Sequence, residues 1–66
     1  MNLSEVIKTR RRTLGISQID LSEMSGVALA TIKDIERGKG NPSMGTVSKI
    51  MDILGMEILF KVLQTV

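Results

Sequence analysis

The sequence predicts a mainly α domain, four short helices followed by a C-terminal β-strand. Three observations lead there. Apolar residues recur at helical spacing in four stretches, most of them opened by Asn or Ser and closed by Gly. The second and third stretches are separated by a glycine-containing segment so short that only a tight turn fits. The closing segment MEILFKVLQTV changes character, because its β-branched and aromatic residues alternate with period two.

The first helix is expected from Leu3 to about Thr13, with Asn2 as N-cap and Glu5 completing a reciprocal capping pair. Gly15 ends it. Its apolar stripe runs through Leu3, Ile7 and Leu14, and at helical spacing the same stripe passes through Arg11. A guanidinium facing an interior is tolerable only when it is paired. Arg10 and Arg12 lie off the stripe and are candidates for phosphate contacts. The plainer reading of this basic run, which includes Lys8, is a solvated helix face.

Ser17 caps the second helix, Asp20 stands where the reciprocal acceptor belongs, and the helix should run to about Met24. Gly26 supplies a left-handed residue that ends it at little cost. The third helix carries Val27, Ile32 and Ile35 at apolar spacing and closes at Gly38. Ile19, Leu21 and Met24 would face the core from the second helix, and Ile32 and Ile35 from the third. Leu29, Ala30, Lys33, Asp34 and Arg37 are left outward or at the margin. The pattern is that of a helix-turn-helix, although two helices of an ordinary bundle would show the same periodicity.

After the loop KGNP, Ser43 caps a fourth helix that runs to about Leu54 and stops at Gly55. Met44, Val47, Ile50, Met51 and Leu54 form its buried face, which makes the methionines core filler rather than an adaptable binding surface. In the last segment Ile58, Phe60, Val62 and Val66 share one face of a strand, and Glu57, Leu59, Lys61, Leu63 and Thr65 the other. A helix is the alternative, with Glu57 and Lys61 as an i,i+4 pair. A lone strand needs a partner, and no second strand candidate exists in the chain. A second copy could supply one, so Ile58, Leu59, Phe60, Val62 and Leu63 are candidate dimerisation residues.

A chain of 66 residues holds one domain and buries only about 60% of its unfolded surface, so a partner chain is a natural source of stability. There is no cysteine and no histidine, which removes disulfides, thiolate metal sites and the commonest general base. Asp20, Glu23, Asp34 and Glu36 have capping, surface or salt-bridge explanations, so an enzyme, a metal centre or a cofactor is not expected. The net charge of +2 is too small to imply a polyanion partner by itself. No run approaches the roughly 20 apolar residues that span a bilayer, and the N-terminus lacks the layout of a signal peptide; a cytoplasmic, membrane-free protein is expected.

From Arg11 to Met56 the residues R, LGISQ, L, G-V, TI, IERG, NPS and LGM, in that order and spacing, resemble the Cro and phage-repressor-like helix-turn-helix family of bacterial regulators. The resemblance covers about two thirds of the chain and places Glu36 against Arg11 as a structural salt bridge. It implies that the third helix enters the major groove of double-stranded DNA, so that Ala28, Leu29, Ala30, Thr31, Lys33 and Asp34 read base edges. Here the chain departs from the family's pattern: Ala28 stands where a Ser or Thr cap is usual, and Leu29 and Ala30 replace hydrogen-bonding side chains. Thymine methyls then become the direct contact, Lys33 is left to reach guanine, and DNA shape supplements the code.

Gln18, Lys39 and Asn41 are expected on phosphates, whereas Arg37 either joins them or compensates the dipole of its helix. The family implies a homodimeric repressor of an inverted repeat. A C-terminal strand paired across the dimer resembles the antitoxin branch, the partners of HipA-type kinase toxins. A fifth helix would be closer to phage repressors. An interaction module that neutralises a protein partner without DNA is the reading from another class.

Overall fold

The computed structural model describes residues 2–64. The elements are α1 (Leu3–Thr13), α2 (Gln18–Ser25), α3 (Leu29–Glu36) and α4 (Met44–Leu54). Three of the four starts have a local cause. The Asn2 side chain accepts from the Glu5 amide and that of Ser43 from the Thr46 amide, while Ser17 and Asp20 form a complete capping box. α3 is the exception, because Ala28 offers no side-chain cap. Gly26 at φ 76° and Gly55 at φ 69° end α2 and α4 in the left-handed region, where a Cβ would add strain.

The helices surround one core. Ile7 from α1, Leu21 from α2, Ile32 and Ile35 from α3, and Val47, Ile50, Met51 and Leu54 from α4 meet there with Val27 from the turn. α1 and α2 each pack on both α3 and α4. This backing sets the angle at which α3 is presented.

Several sequence expectations require correction. Ile19 and Met24 are each 56% exposed. Ile19 cannot share a face with Leu21, since positions two apart on a helix lie about 200° apart around its axis. The inner side of α2 is instead Gln18, Leu21, Ser22 and Ser25, all buried or half-buried. Ser22 donates to the Val27 carbonyl and Ser25 to that of Leu21, both at 2.6 Å, so these short polar side chains tie the turn down while letting α2 lie close to its neighbours. Leu14 falls just past the end of α1 and is 43% exposed. Met44 continues the α4 stripe one turn beyond the core and lines a surface groove, 55% exposed.

The largest correction concerns the C-terminal segment. No strand exists among the described residues, and no fifth helix replaces it; positions 56–64 follow α4 without regular structure. A strand is completed by hydrogen bonds to a neighbour, and the chain holds no second one. Ile58 packs against the core, whereas Leu59, Phe60, Val62 and Leu63 are 77–92% exposed. Val66, which the alternating pattern also includes, lies outside the described residues. No helix among those described is long and apolar enough to cross a membrane.

Replacing Leu21, fully buried at the meeting of α2, α3 and α4, with alanine should cost about 3 kcal/mol. Urea unfolding followed by circular dichroism would read this directly; a midpoint within error of the parent would show that α2 closes over the gap.

Candidate nucleic-acid interface

α3 faces the core with Ile32, Ile35 and Glu36 and presents the rest of its surface outward. Ala28, Ala30, Lys33 and Arg37 are exposed, and Leu29, Thr31 and Asp34 half-buried. Because Ala28 makes no side-chain cap, the first-turn amides of α3 remain open to an outside acceptor. Two shallow hollows flank the helix. One is bounded by Gln18, Ala30, Lys33, Asp34 and Arg37, the other by Thr31, Asp34, Ile35, Lys39, Gly40, Asn41 and Pro42. The fold thus gathers Gln18, Ala30, Thr31, Lys33, Asp34, Arg37, Lys39 and Asn41 around one surface, with Ala28 and Leu29 at its α3 N-terminal end.

Behind this surface lies a buried ion pair. Arg11 donates from Nε to Glu36 Oε2 at 2.7 Å and from Nη2 to Oε1 at 2.8 Å, and its Nη1 reaches the Ile16 carbonyl at 3.0 Å. The side chains are only 12% and 3% exposed. Gln18 Nε2 adds a bond to Glu36 Oε1 at 3.3 Å, and Ser4 donates to the Glu36 carbonyl at 2.7 Å. α1 and α2 therefore converge on the last residue of α3. Burial alone would raise the Glu36 carboxyl, but the hydrogen bonds from Arg11 and Gln18, helped by the charges of Arg11 and Lys8, hold it below its ordinary value. The bond to Glu36 likewise raises Arg11 despite its burial.

Other basic residues divide in a way the sequence does not reveal. Arg10 donates from Nε to the Leu54 carbonyl at 2.9 Å, so it closes the C-terminus of α4 rather than standing free for phosphate. Arg12 is exposed on α1. Arg37 pairs with Asp34 one turn back on the same helix. Gln18, read from the sequence as a phosphate contact, is half-buried, and its amide is oriented by Glu36. Ser4 carries no signal in the sequence that would mark it as a tie to α3. Ile58 packs on the core apart from the exposed Leu59, Phe60, Val62 and Leu63, so the tail residues do not form one continuous face.

The helix-turn-helix family model matches residues 7–61, the whole of α2, α3 and α4 with most of α1. The chain belongs to the helix-turn-helix family. Among its relatives is an HTH-type transcriptional regulator, uncharacterised, of Haemophilus influenzae, 45% identical over 47 residues that make up 71% of this chain and 48% of that protein. A second of that description, from Methanothermobacter thermautotrophicus, is 36% identical over 79% of this chain and 75% of its own length. The immunity repressor protein of Bacillus phage phi105 is 29% identical over 88% of this chain and 40% of its own length. The chain spans less than half the length of the phage and Haemophilus proteins. Within the helix-turn-helix unit, α3 occupies the position of the recognition helix.

Removing one member of the buried pair differs in consequence from removing both. Glu36→Ala should cost about 3–5 kcal/mol by stranding the Arg11 guanidinium, while Arg11→Met with Glu36→Leu should retain most of the stability. Thermal melts of the two variants check this; equal losses would mean that the pair adds no stranded-charge penalty. The pH dependence has a definite sign. Glu36 is held low in the folded chain but returns to about 4.3 when unfolded, so its contribution is complete above that value and is lost as pH falls through the folded pKa. Glu36→Gln should flatten the acid limb of a stability profile.

Proposed function

We propose that this chain is the DNA-binding unit of a sequence-specific transcriptional regulator, acting as a repressor. The observation that carries the reading is the outward face of α3, with its uncapped N-terminus and two shallow flanking hollows bordered by Lys33, Arg37, Lys39 and Asn41, standing in the recognition position of a helix-turn-helix. The phage relative, named an immunity repressor, supports the choice of repression. In the complex, the N-terminal turn of α3 enters the major groove, with Ala28, Leu29 and Ala30 against thymine methyls and Lys33 reaching guanine. Thr31, Lys39, Asn41 and Arg12 serve the phosphates, which fix register without reading sequence, while Gln18 steadies Glu36 behind them. With so few hydrogen-bonding groups on α3, groove shape carries part of the specificity.

The finer reading is a homodimer on an inverted repeat, its half-sites about one helical turn apart. Support comes from Leu59, Phe60, Val62 and Leu63, four large apolar side chains close together in sequence that are 77–92% exposed in the isolated chain. The resemblance to antitoxins with a kinase partner rested on the C-terminal strand, and positions 56–64 supply no such strand.

Selection of a binding site from a random duplex pool, followed by titration against a scrambled control across a salt series, tests the reading. Preference for the selected site that persists near physiological salt is expected, with Lys33→Ala relaxing the preference by about 1–3 kcal/mol. Equal and strongly salt-sensitive binding to both duplexes would overturn sequence-specific recognition and turn attention to a protein partner for the same helix face. Sedimentation of a Phe60→Ser, Val62→Ser variant addresses the dimer: a shift to monomer is expected, and an unchanged dimer would place the interface elsewhere.

A further inference from the structure

Asp34 is the only exposed or half-buried carboxylate on α3 and lies on the rim shared by both hollows that flank this helix. An acid in that place repels a polyanion, so its presence on a surface meant for DNA calls for a reason. Stability is a poor one. The pair it forms with Arg37 joins side chains 45% and 62% exposed, and exposed ion pairs contribute little to a fold. The geometry does show what Asp34 holds: the Arg37 side chain borders the Gln18, Ala30 and Lys33 hollow, one of the strongest phosphate ligands available on this face.

We infer that Asp34 is a specificity-determining residue that keeps Arg37 from unselective phosphate binding, so that Arg37 passes from the carboxylate to a backbone phosphate only in the fully docked complex. The inference rests on the DNA-binding reading above. On non-cognate DNA the helix sits without its full set of groove contacts, and Arg37 stays paired. In the docked complex a phosphate seated in the hollow lies close enough to offer the guanidinium an equivalent charged partner, which a loosely placed helix does not bring within reach. The consequence is on the ratio of specific to nonspecific affinity, which governs how a regulator finds its site among competing sequence. Removing the acid therefore strengthens the wrong binding more than the right one.

The experiment measures dissociation constants of four proteins, the parent, Asp34→Asn, Arg37→Gln and the double variant, for a scrambled 20-bp duplex of about the size used in such titrations and for a duplex selected from a random pool, across a salt series. For the scrambled duplex, Asp34→Asn should tighten binding several-fold and steepen the log–log salt dependence by about 0.9, the signature of one additional phosphate contact. Binding to the selected duplex should change less, so discrimination falls. In the Arg37→Gln background the same substitution should leave the slope unchanged. An unaltered slope in the Arg37-containing protein, as expected if the pair merely steadies α3, overturns the inference. So does an equal change in both backgrounds, which would mean that the carboxylate acts by its own charge and not through Arg37. A parent protein that prefers no duplex overturns the DNA-binding reading instead, which keeps the two failures apart. Circular dichroism melts confirm that the surface substitutions leave the fold in place.

Discussion

Glu36 is the one charged residue buried to 3% exposure among the described residues, and the arrangement of the other helices follows from the need to satisfy it. A carboxylate taken from water without partners would unfold so small a domain or take up a proton. Arg11 answers with a two-pronged contact from α1, Gln18 adds an amide from the first turn of α2, and Ser4 fastens the backbone carbonyl. Both neighbours of α3 are thereby keyed to its C-terminal end. No buried side-chain nitrogen or oxygen among the described residues is left without a hydrogen-bond partner. A satisfied network of this kind is worth little as net stability but selects one relative placement of three helices.

That placement fixes which side of α3 faces outward. Its inward residues are held by packing and by the ion pair, so the outward ones are presented by a rigid support rather than by a loop. The support is economical in size: serines on the inner side of α2 replace bulk with short hydrogen bonds, and Arg10 closes α4 from a neighbouring helix. The apolar core can then be small, centred on Ile7, Leu21, Ile32, Ile35, Ile50 and Leu54. On the outward side of α3, Asp34 offsets the charge of Arg37.

Beyond Ile58 the constraint changes. Leu59, Phe60, Val62 and Leu63 are apolar enough for a core but have no element of their own chain to cover them. The groove beside them, with Met44, Met51 and Met56 among its lining, is open on the same side of the molecule. Methionine side chains adapt to irregular partners, and here one of them, Met44, is exposed rather than core filler. This groove reaches Asn41 and Pro42, which also border one of the hollows beside α3.

The local features were legible in the chain itself. Caps at Asn2, Ser17 and Ser43 and left-handed glycines at positions 26 and 55 act through residues a few places away, so element limits can be read without knowing what packs where. The outward set on α3 was readable for the same reason, because Ile32 and Ile35 define its inner side. Tertiary structure decided what depends on distant partners. It turned Gln18 inward, because beside the apolar contact of Leu21 the Glu36 carboxylate offers its amide an acceptor. It separated Arg10 from Arg12, which adjacent positions in a basic run cannot do, by giving Arg10 the open carbonyl at the end of α4. It also left the alternating segment after Gly55 without a strand, because period-two patterning states a capacity to pair and a sheet exists only where a neighbour supplies the hydrogen bonds.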